Sequence, residues 1–600
     1  MLDALPIEIL EIVVGNLPNA LSILNLSLAN QELHKKISAD KYALLKSFVQ
    51  SRFPSISTPP FWHDAAVALT ARSRAWDRRA FVVRECRLPG NDVFPGTRAP
   101  AGLKTGFAPA IDSYETWTGG TWAEKTEVLA WGAAGRLRLR TSGNGKVTWS
   151  TYRTPFDHAP ENDIMDFRLL RPEQNRNPLG ETVILRRANN TIAKVTSQPR
   201  EDAFTYEASF NRNSTSHAID SMDINGATEP LLAVCNSREV NLFHVESNEA
   251  KVEACDVLQL EYHYEHKSRV RCTKFLSPQR LALGGQFLEG RLRAPIEIYH
   301  VSPSGLRDIP THLRDATLES VVGRHCANAI SPLDAISTLV GRPGDVFLSG
   351  WTDGIVRMYD LRGGSGPVTE YLDTVDDGQI LSLLPIGHEK FLAGSHHNAC
   401  LKTFDLRMGA RAYSYVNAAM PNVNKRSAGA SASRSNDFYT THRDINIFLA
   451  LNIPRARRLW EPLPQRPDQN MPRYRGSVYS LSSPSASSPT VYAGIENHVI
   501  QLDFVSTDDA RKSRISQLGL DLPSETKSVR AVLNLSCYER PQPGFEIFDP
   551  VLLRKQVDDP SHWTASGKHV GDLDISHSMA EEGWDERWRL AKPKSTLEWR

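Results

Sequence analysis

The chain is poor in cysteine, in net charge and in long apolar runs, and each shortage excludes something. Its 600 residues hold seven cysteines, at positions 86, 235, 255, 272, 326, 400 and 537. None stands in a Cys-x-x-Cys pair and the number is odd, which argues against a disulfide framework or a structural zinc site. Dispersed thiols of this kind fit a reducing compartment. The formal net charge is +1, so no global field draws the chain to nucleic acid or to an anionic membrane. No run of about 18 apolar residues occurs, which excludes a spanning helix. The apolar N-terminus is interrupted by Asp3, Glu8 and Glu11 and lacks the order of a signal peptide. A cytoplasmic or nuclear location is expected, with the Asn-x-Ser/Thr triplets at Asn25, Asn189, Asn213 and Asn534 free of glycan.

Local catalytic patterns are missing too. There is no Gly-x-Ser-x-Gly, no phosphate-binding loop and no His-Glu-x-x-His. His263-x-x-His266 and His396-His397 are the only tight histidine groupings, and neither has cysteine or carboxylate partners at metal-site spacing. Both read as surface turns. The expectation is therefore no catalytic residue, no metal and no cofactor, although a triad distant in sequence would leave no local trace.

What is present begins at Leu5. Pro6 suits the first turn of a helix, where its missing N–H costs nothing, and Asp3 lies upstream as a candidate cap. Ile9, Leu10, Ile12, Val13 and Leu17 then recur at helical spacing. After Pro18-Asn19 come Leu21, Ile23, Leu24, Leu26 and Leu28, and a third helix runs from about Ser27 through Leu33 and Ile37, with Lys35 and Lys36 near its end. Three short helices cannot bury this many aliphatic side chains among themselves. The surplus face must meet either the rest of the chain or a partner.

The pattern Leu5-Pro6-x-Glu8-Ile9-Leu10-x-Ile12-Val13, followed by Leu17, Leu21, Leu24, Leu28 and Leu33, resembles the F-box over about residues 3–45. It departs from that family at Leu28-Ala29-Asn30, where Val-Cys and a basic residue are frequent. The resemblance implies binding to the Skp-type adaptor of a cullin–RING ubiquitin ligase and, through it, to the cullin scaffold. Carried over by position, Leu5, Pro6, Ile9, Leu10, Ile12, Val13, Leu17, Leu21 and Leu24 would make or support that contact. Residues 1–48 thus read as an F-box and 49–84 as a helical linker, with helical character at Tyr42–Val49 and from Phe61 to about Val83.

Beyond about residue 100 the period changes to that of short strands. Five segments align as a repeat: Leu231–His244, Arg280–His300, Val346–Asp360, Lys390–Asp405 and Thr490–Asp503. Each is an aliphatic strand, a tight polar turn and an alternating strand. Each has a short strand before it, at Ser221, Cys272, Ala335, Ile380 and Val478. Asp353-Gly354 supplies the positive φ values of a two-residue hairpin turn. Weaker copies lie at Thr126–Trp149 and Asp163–Val195. Such repeats bury their faces only against neighbours, as propeller blades do. An all-β propeller over residues 100–506 is expected, seven-bladed, with eight possible. Phe81–Cys86 or Ala531–Ser536 is the strand that closes the ring.

The repeats resemble WD repeats. Ser349-Gly350-x-x-Asp353-Gly354 through Tyr359-Asp360-Leu361-Arg362 is the best copy, and Ala393-Gly394-Ser395 through Phe404-Asp405 the next. The resemblance implies structural roles for Ser349, Asp353, Tyr359, Asp360 and Asp405, with Ser349, Asp353 and Tyr359 in a hydrogen-bond network inside the blade. The Gly-His that usually precedes a blade is absent, and Gly387-His388 falls inside one.

Residues 418–476 interrupt the repeat. A low-complexity stretch at Ser427–Ser435 is followed by an apolar segment at Asp444–Leu451. Arg455, Arg457, Arg458, Arg466, Arg473 and Arg475 come next. This basic loop reads either as a grip for an acidic or phosphorylated client, with Arg455, Arg457 and Arg458 as the candidate contacts, or as a solvated loop. Residues 507–600 carry Trp563, Trp584, Trp588 and Trp599 and are expected to wrap the propeller in part.

The architecture expected is multi-domain: a three-helix all-α F-box, a helical linker and an all-β propeller. The function expected is that of a substrate-recognition subunit of an SCF-type ubiquitin ligase, itself non-catalytic, with a client protein of unknown identity and no nucleic-acid or membrane partner. The alternatives are a WD-repeat scaffold outside ubiquitination, its N-terminal helices packed on its own body, and a hydrolase built on the propeller channel.

Overall fold

The computed structural model describes residues 2–52, 62–86 and 107–506 outside 154–158, 176–179, 199–202, 213–217, 261–268, 287–294, 314–324, 335–340, 407–443 and 450–475, then 535–540, 554–556, 584–585 and 588–590; scattered positions of one to three residues, Pro18 among them, also lie outside it.

A short 3-10 turn at Leu2–Ala4 leads into α1 (Ile7–Gly15), α2 (Ala20–Ala29), α3 (Gln31–Arg52) and α4 (Trp62–Asp77). Pro6 stands at the N-cap of α1 rather than inside its first turn. Asp3 does not cap that helix. Its carboxylate accepts from Asn30 Nδ2 at 3.0 Å, and its carbonyl from Lys36 Nζ at 2.5 Å. Asn30 caps α3 through the Glu32 amide, 2.9 Å away. The break expected near residues 37–42 is only a distortion: α3 runs through it, with positive φ at Asp40 (49°) and Tyr42 (64°). Lys35 and Lys36 therefore lie in the second turn of α3, far from its C-terminal end. Lys36 ties down the N-terminal turn, donating also to the Leu5 carbonyl at 3.0 Å.

The helix of the linker packs with the three before it. Ala65, Ala66, Ala68, Leu69 and Ala71 of α4 share one core with Leu10, Val14, Ile23, Leu33, Ile37, Leu44, Leu45, Phe48 and Val49, and that core extends to Trp122 and Val505 of the β body. Arg72 donates to the Ser488 carbonyl at 3.2 Å, and Trp76 stacks on Phe504 with centroids 4.0 Å apart. Small alanines on one face of α4 let three helices and a sheet edge approach together. The helix ends in a Schellman turn: the Ala80 amide reaches the Ala75 carbonyl at 2.7 Å, and the Arg79 amide reaches that of Trp76 at 3.0 Å. Arg79 takes φ 51° there, a position that favours glycine by about 1 kcal/mol.

The β body is a seven-bladed propeller. Blade 1 runs through Ile111–Trp117, Lys125–Ala133, Arg136–Gly143 and Lys146–Tyr152. The innermost strands of blades 2 to 7 are Ile164–Leu169, Ile219–Ile224, Arg269–Ser277, Ala327–Pro332, Ile380–Ile386 and Val478–Ser482. Each inner strand packs on the next, and Val478–Ser482 packs on Ile111–Trp117, so the ring closes. Blade 5 begins at Ala327, upstream of the Ala335 segment read from the sequence, which lies outside the described residues. The closing strand is Val82–Glu85, which pairs antiparallel with His498–Asp503 as the outer strand of blade 7. Arg84 forms an ion pair with the fully buried Asp503, which also accepts from Thr490 Oγ1 at 2.8 Å.

The apolar core is divided among the blade interfaces. One wedge of buried side chains fills each of the seven seams; Tyr114, Val128 and Leu139 of blade 1 meet Ile164, Phe167 and Leu185 of blade 2, for instance. A polar stitch crosses each seam near the channel. Asp112 accepts from the Leu169 amide at 2.9 Å, and Arg168 donates to Asp223 at 2.9 Å. Ser221 meets Thr273 at 2.6 Å, Cys272 the Ala327 carbonyl at 3.4 Å, and Asn328 the Ile380 carbonyl at 3.3 Å. Ser382 donates to Val478 at 3.0 Å, and Ser480 to Pro109 at 2.6 Å.

Glycines on the second strands make room for this. A Cβ on Gly394 would lie 2.8 Å from the Val478 carbonyl oxygen, and one on Gly494 the same distance from that of Pro109. Gly284 and Gly350 hold the corresponding places in blades 4 and 5. Blade 2 has Arg186 instead, whose guanidinium spans the seam to the Ile219 carbonyl at 2.7 Å.

The tail adds to blade 6. Ser536–Glu539 pairs with Ile445–Phe448, and Arg554–Gln556 and Trp588–Leu590 extend the sheet outward. Tyr538 reaches Asn446 Nδ2 at 2.6 Å, and the same amide donates to Asp373 at 2.7 Å.

Two outcomes test the seams. Gly394→Ala is expected to destabilise the protein by about 1–3 kcal/mol in urea unfolding, because backbone must move. Gly226→Ala, which meets nothing within 4 Å, is expected within about 0.5 kcal/mol of the parent. Equal effects of the two would refute the close-approach account. The second outcome concerns Asp223. Burial opposes its charge, but Lys274, Arg168 and the Phe275 amide outweigh burial and hold the carboxyl below its usual value. A depressed carboxylate stabilises the fold above its unfolded pKa of about 3.9, and that share is lost as pH falls through the folded value. The urea midpoint is expected to fall below about pH 4, with a shallower slope in Asp223→Asn. An unchanged slope in the variant would count against the assignment.

Candidate functional site

α1 and α2 each turn one apolar stripe into the core and another outward. Leu10 and Val14, four residues apart, are buried against α3, while Ile7, Ile9 and Ile12 face solvent, Ile12 at 62% exposure. On α2, Ile23 is buried, whereas Leu24 and Leu28 are exposed, Leu28 at 70%. Nothing among the described residues covers these outward stripes.

Of the nine residues aligned with an adaptor contact, Pro6, Ile9, Ile12 and Leu24 are exposed, and Leu5, Val13 and Leu17 are half-buried. Leu10 has no surface to offer a partner, so its part is to hold the helix down. The side chain of Leu21 lies outside the described residues. Ile7 and Leu28 complete the exposed stripes.

The propeller offers a second surface, at one mouth of its channel. In blades 2 to 7 the pairing of the inner strand with its neighbour shifts by one residue near the start of the strand. The extra residues are Met165, Asp220, Arg271, Asn328, Leu381 and Tyr479, and each is exposed or half-exposed beside a buried predecessor. A bulge re-aims the side chain it adds, and all inner strands start on the same side of the ring. The apolar members, Leu381, Tyr479 and Met165, come from blades 6, 7 and 2 around blade 1. The polar members, Asp220, Arg271 and Asn328, come from the consecutive blades 3, 4 and 5. Met165 is 50% exposed, unusual for such a side chain. The sequence carries a signal for this ring: an aliphatic residue, a variable one and a small polar one recur at Ile380-Leu381-Ser382, Val478-Tyr479-Ser480 and Ile219-Asp220-Ser221.

The residues assigned to blade structure occupy a dense network in blade 5. Trp351 Nε1 donates to Ser349 Oγ at 2.7 Å. Asp353 accepts from the Ile355 amide at 3.0 Å and pairs with Arg357 at 2.9 Å. Arg357 also pairs with Glu370 at 3.0 Å and lies 4.9 Å from the centre of the Trp351 ring. The aromatic that meets Ser349 is thus Trp351, while Tyr359 stacks on Phe347 with centroids 5.4 Å apart. The Asp353-Gly354 turn uses one positive φ rather than two, 79° at Gly354, and the Gly354 amide closes it on the Trp351 carbonyl at 3.2 Å. Hydrogen bonds from Arg362 hold the Asp360 carboxyl below its usual value. Asp405 is buried beside Tyr371, whose phenol is pushed up first by burial and then by that carboxylate.

Burial pushes the Cys86 and Cys235 thiols up to about 12, which disfavours the nucleophilic thiolate. Among the described residues, no three His, Cys, Asp or Glu side chains gather where they could hold a metal ion. His396 meets Ser477 Oγ at 2.7 Å, and that hydroxyl also donates to the His396 carbonyl at 3.1 Å, which makes the pair a turn latch. His263, His266, Arg455, Arg457, Arg458, Arg466, Arg473 and Arg475 lie outside the described residues.

No family model matches the chain, and no curated protein matches it in sequence. Solved structures with a similar fold include Raptor of Chaetomium thermophilum, at 9% identity and a TM-score of 0.41, over 80% of this chain and 38% of that one. They include Sqt1 of Chaetomium thermophilum, at 11% identity and 0.37, over 63% and 79%. U3-55K is similar at 11% identity and 0.37, over 70% and 98%. The chain spans little more than a third of the length of the Raptor chain. At these values the likeness adds nothing to the propeller assignment, which rests on the sheets and their ring of contacts.

Proposed function

We propose that the chain is the substrate-recognition subunit of an SCF-type cullin–RING ubiquitin ligase. In this reading the outward stripes of α1 and α2 bind a Skp-type adaptor and the propeller holds a client protein. The observation that carries it is the exposure of Ile9, Ile12, Leu24 and Leu28 on helices whose opposite faces are already packed. Each such side chain gains about 1.5–3 kcal/mol on burial, and the F-box-like pattern names the partner. The mouth residues Leu381, Tyr479, Met165, Arg271 and Asn328 are the candidate client contacts. The contribution to catalysis is proximity: a tethered client meets the ubiquitin-loaded enzyme at raised effective concentration. The chain itself is non-catalytic.

A second reading has its own support. α4 docks on the propeller through Arg72 and Trp76, as in a scaffold whose helices serve its own body. Calorimetric titration with a Skp-type adaptor separates the two. The full chain is expected to bind, and Ile9→Asp combined with Ile12→Asp is expected to weaken binding at least a hundredfold with an unchanged circular dichroism spectrum. Leu10→Ala is expected to cost about 2–5 kcal/mol of stability instead. Absence of binding by the parent, or equal binding by the double variant, would leave the scaffold reading standing.

A further inference from the structure

The C-terminal segment converges on one short stretch, residues 78–81, between α4 and the closing strand. The Asp585 amide donates to the Arg78 carbonyl at 2.9 Å, and Trp588 Nε1 to the Arg79 carbonyl at 2.7 Å. These are carbonyls at the end of a helix, which have no partner within it. The Arg79 guanidinium forms an ion pair with Glu539 at 2.5 Å and lies 4.6 Å from the centre of the Trp584 ring. Arg554 lies 4.3 Å from the centre of that same ring. Phe81 meets Trp588 edge-on, with centroids 5.2 Å apart. The first and third outer strands of blade 6, or residues flanking them, therefore grip a single elbow, and the second backs the grip through Arg554 on Trp584.

Arg79 itself is the telling residue. Its φ is 51°, in the left-handed region where glycine ends helices most easily. An arginine there, 95% buried, is at odds with backbone preference alone. Its side chain, held between Glu539 and Trp584, accounts for it. The elbow is also the only covalent connection between the helical module and the ring.

We propose that residues 535–540, 554–556, 584–585 and 588–590 form a clasp that fixes the orientation of the helical module on the propeller, with Arg79 as the residue they hold. The clasp works whatever binds α1 and α2, so it does not depend on the adaptor reading. With the clasp closed, α4 and the closing strand move as one body. With it open, the elbow is a hinge of a few residues.

Arg79→Gly tests this directly. Glycine suits the turn, so if Arg79 served only to end the helix, the variant would keep or gain protection from hydrogen exchange. The clasp predicts at least tenfold faster exchange of amides 62–86, with inner strands remote from that wedge, such as 219–224 and 269–277, unchanged. A second measurement avoids any folding defect. A site-specific protease sequence is placed within residues 541–553 of the full chain, and the folded protein is cut, which severs the chain ahead of 554–590. The same local rise in exchange is expected after cutting, together with a broader scattering-derived size distribution. Unchanged exchange at 62–86 in both experiments, or a rise shared by inner strands 219–224 and 269–277, would overturn the proposal.

Discussion

The pairing of Val82–Glu85 with His498–Asp503 is the constraint on which the rest depends. A ring of blades has no stable edge to spare, since each sheet buries its faces only against its neighbours. Here the outer strand of the last blade comes from the start of the β body, so the ring cannot close until its two ends meet. The buried Arg84–Asp503 pair marks that junction, and the cost of desolvating it is offset by the hydrogen bonds from Thr490 and Gln501. Closure also fixes where α4 must lie. Only residues 78–81 separate that helix from the closing strand, so it lands on blade 7 and its neighbours, where Trp76 finds Phe504 and Arg72 finds Ser488.

Much of the propeller was legible because the seams write themselves into the sequence. The glycine in Ala393-Gly394 and Ala493-Gly494 is there for the carbonyl of the next blade, and the small polar residue on each inner strand is there to stitch it. The glycine recurs in blades 4 to 7, at Gly284, Gly350, Gly394 and Gly494, which is where the repeat is plainest in the sequence. What was hidden depends on partners distant in sequence. Ile111–Trp117 and Ala327–Pro332 are inner strands defined by what they pack on, and nothing local separates them from loop. Tail residues 536–539 join blade 6, about ninety residues away from Ile445–Phe448, through pairing that only the assembled sheet supplies. The third helix was split in the sequence because Ser38 to Lys41 interrupts its apolar period. The fold keeps the helix going and confines the interruption to positive φ at Asp40 and Tyr42.

The candidate surface on α1 and α2 was legible in kind and blurred in detail. Apolar spacing identifies residues that want burial without saying which side of the helix gets it. Ile9 and Leu10 look alike in sequence, yet one is exposed and the other fully buried, because α3 lies on the Leu10 side. The resemblance that grouped all nine residues could not make that distinction. The mouth of the channel was missed for a related reason: its six residues share a place in the ladder and no chemical type. A recurring position occupied by Met, Asp, Arg, Asn, Leu and Tyr reads as noise until the register shift beside each is seen.

Both ends of the chain meet at the seam between blades 6 and 7. The wedge there holds Leu392 and Ile447 of blade 6 and Val491 and Leu502 of blade 7, and it also takes in Trp76 and Phe81 from one end and Trp584 and Trp588 from the other. Its polar stitches, Ser382 to Val478, Ser477 to His396 and the Ala399 amide to the Gly476 carbonyl, are hydrogen bonds without an ion pair among them, where the seam between blades 3 and 4 has the charged Asp223. Apolar burial from the two chain ends supplies what the stitches lack. That arrangement links two properties that need not go together. The same tryptophans that reinforce the seam also grip the elbow, so the ring cannot loosen at this seam without the helical module gaining freedom, and the module cannot swing without withdrawing side chains from the seam.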